Sequence, residues 1–321
     1  MTWYSFSAMK KKTTYRIRNW PEYNAALKQR GSLTIWISDQ AIAHWTTGLR
    51  TGKPGASPVY TDLAIETMAT VQAIYGLAGR QTQGFLQSLF NLMGLDLTAP
   101  DHSTLSRRRG SLTIGLPVSK SSAPRHLVVD STGVKVYGEG EWKVRQQGVS
   151  KRRTWLKLHL CSDQATLEVI SAVASTNDLS DAVALPDLLQ DLPDEVEQVS
   201  ADGAYDRRQC YDAVHRQGAK AAIPPRKGAK IWRHGNSRAD RHVRDENLRR
   251  ARQVGRKQWK RESRYHRRSL AETQMFRFKR TFGDRVGTRK IGNQFKELLL
   301  KCAVLNQMTH LGMPESYRVN K

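Results

Sequence analysis

Two short apolar runs, one from His126 to Asp130 and one from Glu197 to Ala201 followed by Asp202, each end on an aspartate. Runs of this length read as strands. An acid at the C-terminal end of a strand in an open α/β sheet stands where chemistry collects. The surrounding pattern fixes the sheet. Thr154 to Leu160 alternates, with Leu156, Leu158 and Leu160 on one face, and Leu167 to Ala174 is a third strand. Ser180 caps a helix expected from Asp181 to Gln190, weakened by Pro186. A helix from about Asp206 to Gln217 precedes a fifth strand, Ala219 to Ile223, closed by Pro224-Pro225. The order β-β-β-α-β-α-β is a meander followed by crossovers. It predicts an α/β fold with a mixed sheet and helices on its faces.

A second constraint lies downstream, in Tyr265, Arg268, Glu272 and Lys279. At about 100° per residue they fall within an arc of about 60° on a helix face about 21 Å long. Leu270, Ala271, Met275, Phe278 and Phe282 fall on the other side and give a packing face. A lone carboxylate in a basic stripe reads as a metal-binding or catalytic acid beside a phosphate track. It reads equally as a solvated face with helix-spacing ion pairs.

Asp130, Asp202 and Glu272 are separated by 72 and 70 residues, so only the fold can bring them together. Three bare carboxylates in one place would raise each other's pKa. A pair of Mg²⁺ ions resolves this with hard oxygen ligands. Two such ions about 3.5–4 Å apart support in-line phosphoryl transfer. Arg268 and Lys279 would then neutralise flanking phosphates, and Tyr265 would donate to a phosphate oxygen. Each acid also has a plain reading. Asp130 precedes Ser131-Thr132-Gly133 and suits a turn, Asp202 suits a turn or a helix cap, and Glu272 suits a pair with Arg268. Their joint placement favours a shared site, with Glu262 and Asp206 as lesser rivals.

Charge points the same way. The 321 residues suffice for two domains or one large one, and they carry a net charge of +24, which calls for a polyanionic partner. Nucleic acid fits better than a membrane surface. Lys220 to Arg268 holds 18 Lys and Arg against 4 Asp and Glu, whereas Asp178 to Asp206 has acids and no Lys or Arg. One face should bind the polyanion and another avoid it. No apolar run approaches the length of a membrane span. Met1 to Lys12 lacks an export signal. Cys161, Cys210 and Cys302 are scattered and form no disulfide framework or zinc spacing. A cytoplasmic location is expected.

Upstream of the sheet, Lys10-Lys11-Lys12 opens a basic arm, and a short helix runs around Glu22 to Gln29. Ser32 to Ile37 alternates like a strand, and Thr51 to Pro58 is a Gly/Pro loop. Residues 61–110 read as three helices. The first is capped by Thr61 or Asp62, the second runs from about Arg80 to Met93, and the third starts at Asp101 and ends in Arg107, Arg108 and Arg109. The trio suits a helix-turn-helix-like DNA-binding unit with the three arginines on DNA, or a plain helical packing unit. Pro117 to Pro124 reads as a linker. The expected division is a basic arm and small subdomain at 1–58, a helical DNA-binding domain at 59–116 and a catalytic domain at 125–321, with a basic insertion at 224–262.

The Tyr-Arg-Glu-Lys spacing resembles the YREK motif of bacterial insertion-sequence DDE transposases. Asp130 to Gly138 (DSTGVKVYG) and Ala201 to Asp206 (ADGAYD) resemble the two aspartate motifs of the insertion-sequence-five family. Ile223 to Arg226, Asn19 to Tyr23 and Thr104 to Arg108 are similar to that family as well. The resemblance covers about residues 15 to 310. It implies an RNase H-like catalytic core, an N-terminal helical DNA-binding region, and metal-ligating roles for Asp130, Asp202 and Glu272. It implies two Mg²⁺ ions, with Mn²⁺ able to substitute, and phosphate contacts from Tyr265, Arg268 and Lys279. The partners it implies are double-stranded DNA, as terminal inverted repeats and target, and further copies of this chain, a homodimer or higher. Its setting is bacterial and nucleoid-associated. Larger relatives carry a β-rich insertion before the glutamate helix. Residues 224–262 are too basic and too poor in apolar residues for one. Trp232 and Trp259 lie in this stretch, where they either stack on a base or pack. The other functions open to such a chain are a DNA-binding regulator without catalysis and an RNase H-like nuclease without strand transfer.

Overall fold

The computed structural model describes residues 14–48, 52, 57–136, 155–233 and 242–319. Lys10-Lys11-Lys12, most of the Thr51 to Pro58 loop, Tyr137 and Gly138 of the first aspartate motif, and residues 234–241 of the basic insertion lie outside them.

The N-terminal part comprises strand β1 (Thr14–Ile17) and helices α1 (Trp20–Gln29), α2 (Leu33–Trp36), α3 (Asp39–Ala43), α4 (Asp62–Tyr75), α5 (Gly79–Leu92) and α6 (His102–Arg108). Side-chain caps start α3, α4 and α6. The Thr61 side chain accepts from Ala64 N at 3.1 Å and that of Asp101 from Ser103 N at 2.8 Å. Gly76, at φ +64°, closes α4 in the left-handed conformation that glycine adopts without strain. Ile65, Met68, Leu86, Phe90 and Leu105 form the core of α4–α6. Ser32 to Ile37 corrects an expectation: it holds the one-turn helix α2, not a strand. Alternation over six residues also fits a helical turn, and here Trp36 is buried, with its indole N–H donating to Arg30 O at 3.0 Å.

Strand β2 (Arg125–Val136) is the axis of the sheet. β3 (Trp155–Asp163) pairs antiparallel with it, and β4 (Val169–Thr176) pairs antiparallel with β3. After helix α7 (Asp181–Leu188), β5 (Val196–Ser200) runs parallel to β2 on its other side. After α8 (Arg208–Arg216), β6 (Lys220–Ala222) runs parallel to β5. The order β4-β3-β2-β5-β6 is a mixed sheet, as the meander and crossovers predict, and is consistent with an RNase H-like core. Pro186 sits inside α7, where it removes a backbone donor. The Ala182 carbonyl instead accepts from Gln209 Nε2 at 2.7 Å and Cys210 Sγ at 3.4 Å, both from α8.

The chain then forms α9 (Val243–Val254), α10 (Arg256–Glu262), a 3₁₀ turn at Tyr265–Arg268, α11 (Ser269–Phe282), β7 (Arg285–Val286), α12 (Ile291–Leu311) and β8 (Ser316–Val319). Strand alternation divides the core between the two faces of the sheet. Leu127, Val129 and Cys161 meet Leu185, Leu188, Cys210 and Val214 of α7 and α8. Val134, Leu156, Leu158 and Leu160 meet Met275 and Phe278 of α11 and Leu298, Cys302 and Leu305 of α12. Helix α12 is buried on most of its faces, and its buried polar residues are hydrogen-bonded: Asn293 Nδ2 donates to Ser106 O at 2.8 Å, Lys301 Nζ to Glu297 Oε1 at 2.8 Å, and Asn306 Nδ2 to Val169 O at 2.8 Å. Leu300 joins the core of α4–α6, while Val304 and Met308 pack on Trp36. β1 pairs antiparallel with β8. No helix among the described residues is long and apolar enough to cross a membrane.

Helices α9 and α10 occupy the stretch that composition marks as poor in apolar residues. Buried charge docks them in place of a large apolar face. Asp206 accepts from Arg244 Nε at 2.7 Å, and Asp245 accepts from the backbone N–H groups of Trp232 at 2.9 Å and Arg233 at 2.8 Å.

Candidate active site

Asp130 lies in the middle of β2, not at its end. Its neighbour β5 stops earlier, so Asp130 still lies at the sheet level where β5 gives way to a loop. The parallel register pairs Val128 with Ser200. Asp130 stands two residues beyond Val128 on β2, and Asp202 two residues beyond Ser200 in the loop that leaves β5. Asp130 Oδ1 accepts from Ser131 N at 2.9 Å, and Asp202 Oδ1 accepts from Ala204 N at 2.8 Å. Asp202 thus caps the short turn that follows it, and its charge is felt at Asp130.

The third acid comes from α11. The helix expected from Tyr265 onward begins at Ser269. Arg264 takes a left-handed φ of +53°, and the Tyr265–Arg268 segment is a 3₁₀ turn. The stripe bends but still converges. Arg268 Nη1 donates to Asp130 Oδ2 at 2.9 Å, and Arg268 Nη2 donates to Glu272 Oε1 at 2.5 Å. One guanidinium therefore spans the gap between the sheet acid and the helix acid. The side chains of Asp130 and Arg268 are 20% and 18% exposed, whereas that of Glu272 is 64% exposed. Lys279, two turns along α11, is half-buried.

Burial raises the pKa of Asp130, and the neighbouring Asp202 charge pushes the same way, against the Ser131 N–H and Arg268. Burial alone would lower the pKa of Arg268, but Tyr265, Asp130, Glu272 and Asp202 outweigh it and raise the pKa. Burial likewise raises the pKa of Tyr265. The site is an acid cluster held by one arginine. Its donors are carboxylate oxygens, the ligand type a hard divalent cation takes. With Arg268 between them, no three acidic, histidine or cysteine side chains among the described residues are close enough to share one ion.

The other residues singled out in the sequence separate by burial. Arg107 is exposed and donates to Thr104 Oγ1 at 3.1 Å. Arg108 pairs with Asp62 at 2.6 Å and also donates to the Tyr60 carbonyl. Arg109 is 4% exposed, donates to Gln72 Oε1 and lies 4.0 Å from Glu297. In this conformation it ties α6 to α4 and α12 and offers nothing to DNA. A run of three arginines does not reveal which one the helix turns inward. Arg109→Ala is expected to lower stability by about 1–3 kcal/mol in a denaturant titration, while Arg107→Ala leaves stability within about 0.5 kcal/mol. Trp259 is 3% exposed and its ring centroid lies 6.2 Å from that of Tyr265. It packs beneath the site, where its ring has no open face for a base. Trp232 lies against Arg244, whose guanidinium carbon is 3.9 Å from the ring centroid.

Two groups near the site lie in stretches that resemble the family, but their roles are not legible in local pattern. Tyr205, 1% exposed, stands in the turn after Asp202. Arg226 donates from Nε to Gly203 O at 3.0 Å and from Nη2 to Ala204 O at 3.1 Å, bracing the loop that presents Asp202. Its place after Pro224-Pro225 is the one hint of that role.

Two family profiles match this chain, each described as a transposase DDE domain. One spans residues 28–139 and the other residues 121–307, more than half of the chain.

Proposed function

The chain belongs to the DDE transposase family and is a polynucleotidyl transferase and endonuclease acting on DNA, and from that premise we propose which residues do the work and on which DNA. Enzymes of this family use divalent metal ions. Asp130, Asp202 and Glu272 would hold them here once Arg268 has moved aside, as two Mg²⁺ ions with Mn²⁺ able to substitute. When bound, the ions activate the attacking oxygen and stabilise the leaving one. Arg268 holds the acids together until DNA arrives, then turns its planar fork to a phosphate. Tyr265 donates to a phosphate oxygen, and Lys279 neutralises a phosphate further along α11. The observation that supports this reading is the single guanidinium bonded to both Asp130 and Glu272, one side chain between the helix acid and Asp130.

The substrate is the terminal inverted repeat of an insertion element of the insertion-sequence-five type, and Tyr265, Arg268, Glu272 and Lys279 form its YREK motif. The protein cleaves the element ends and joins the freed 3′-OH to target DNA. The helical region upstream of residue 116 contributes the helix-turn-helix-like DNA contact, through Arg107. Two ends in one reaction call for at least a dimer, working on nucleoid DNA in the cytoplasm. A plasmid integration assay with labelled element ends tests this. Integrated label is the expected product. Nicks without integration mean a nuclease, and salt-sensitive binding without nicks means a regulator.

A further inference from the structure

The loop that presents Asp202 has a second charged cleft beside it. The cleft has a volume of about 490 Å³ and is lined by Arg207, Arg208, Arg226, Lys227, Trp232 and the Asp206–Arg244 pair. Among the described residues Asp206 is the only acid in this lining, and its charge is already used. Its carboxylate accepts from Arg244 Nε at 2.7 Å and Nη2 at 3.3 Å, from the Arg226 backbone N–H at 2.9 Å, and from the Tyr211 hydroxyl at 3.2 Å. Arg207, Arg208, Arg226 and Lys227 are all exposed, and among the described residues no carboxylate lies within ion-pair distance of any of them.

The cleft is also built rather than loose. Pro224 and Pro225 fix φ on the way in. Gly228, at φ +78°, turns the chain in a conformation other residues resist. Asp206 anchors the Arg226 backbone between them, and the Trp232 ring is held with the guanidinium carbons of Arg244 at 3.9 Å and Arg208 at 5.1 Å. Four cations around one cleft repel one another unless a polyanion enters. The volume exceeds that of one inorganic anion and suits a length of sugar-phosphate strand. Arg226 also braces Gly203 and Ala204, so a strand lying here passes directly beside Asp202.

We propose that this cleft is a second phosphate-binding site, which holds the backbone of a DNA strand flanking the reacting phosphodiester on the Asp202 side, opposite in sequence terms to the contacts made from α11. The proposal rests on the reading of the chain as a DNA transposase. The strand belongs either to the element end or to the target, and both offer the same phosphodiester chemistry.

Lysine acylation of the full-length protein, followed by peptide mass spectrometry, tests it. The probes are an element-end duplex, an unrelated duplex, and both together. Lys227 is expected to lose reactivity several-fold when DNA is bound, alongside Lys279. Protection by the end duplex alone assigns the flanking strand to the element, and protection only when both duplexes are present assigns it to the target. Arg207→Gln and Lys227→Gln should each lower the slope of log K against log[salt] by about one for every phosphate no longer neutralised, with unchanged melting temperature. Protection of Lys279 with Lys227 labelled at its free rate, or unchanged salt slopes, overturns the inference. If neither lysine is protected, the DNA reading beneath it falls too.

Discussion

Glu272→Ala should cut element-end DNA at least about 10³-fold more slowly than the unchanged protein, because several kcal/mol of transition-state charge stabilisation are lost with a metal-ligating carboxylate. Asp130→Asn and Asp202→Asn should behave alike. DNA affinity should survive in all three, and electrophoretic mobility shift at fixed salt measures it beside a nicking assay. The structure gives the reason for the split. Arg268 is shared between Asp130 and Glu272. Removing either acid frees more of its charge for phosphate. Stability should not fall either, since burial already disfavours the Asp130 charge. Asp130→Asn is therefore expected to melt at or above the temperature of the unchanged protein. A fall in melting temperature together with lost activity would mark Asp130 as a structural acid.

The largest effect on stability is expected at Asp206. Its side chain is 1% exposed and that of Arg244 is 5% exposed. Asp206→Ala removes the nearer carboxylate and leaves the buried Arg244 guanidinium only Asp245, 3.5 Å away, which costs about 3–5 kcal/mol. It also frees the Arg226 backbone N–H and the Tyr211 hydroxyl. Chemical denaturation measures the loss. Replacing both partners with apolar residues, Asp206→Leu with Arg244→Met, should cost less than Asp206→Ala, because no buried guanidinium is then left short of its carboxylate, while Asp245 keeps the backbone N–H groups of Trp232 and Arg233. If the single and double variants are equally destabilised, the pair is not what docks α9 on the sheet.

Much of this architecture is legible in the chain. Thr61 and Asp101 are caps with free hydroxyl or carboxylate oxygens, and local chemistry alone starts α4 and α6. Leu156, Leu158 and Leu160 share a face because a strand has a period of two, and no tertiary knowledge is needed to say so. Asp130 and Asp202 can be placed together once β2 and β5 are neighbours. What local pattern cannot supply is the inward or outward sense of a charge. Arg109, Arg244 and Asp206 look like surface residues by type, yet each is buried with a partner far away in sequence. Trp259 fails as a base-stacking residue for the same reason. Basic composition hides α9 and α10, because they dock through ion pairs and backbone hydrogen bonds rather than an apolar stripe. The break at Arg264 is likewise silent: an arginine at φ +53° has no sequence signature, and it turns one expected helix into a 3₁₀ turn followed by α11.

The central claim is that Glu272, although exposed, shares metal ions with Asp130 and Asp202. Exchanging the hard oxygen ligand for a softer sulfur tests this directly, since thiolate ligands bind the softer Mn²⁺ better than Mg²⁺. The measurement is the rate of element-end cleavage by Glu272→Cys in Mg²⁺ and again in Mn²⁺. Cleavage abolished in Mg²⁺ and recovered in Mn²⁺ is the predicted result. Cleavage by Glu272→Cys in Mg²⁺ at the rate of the unchanged protein would contradict it.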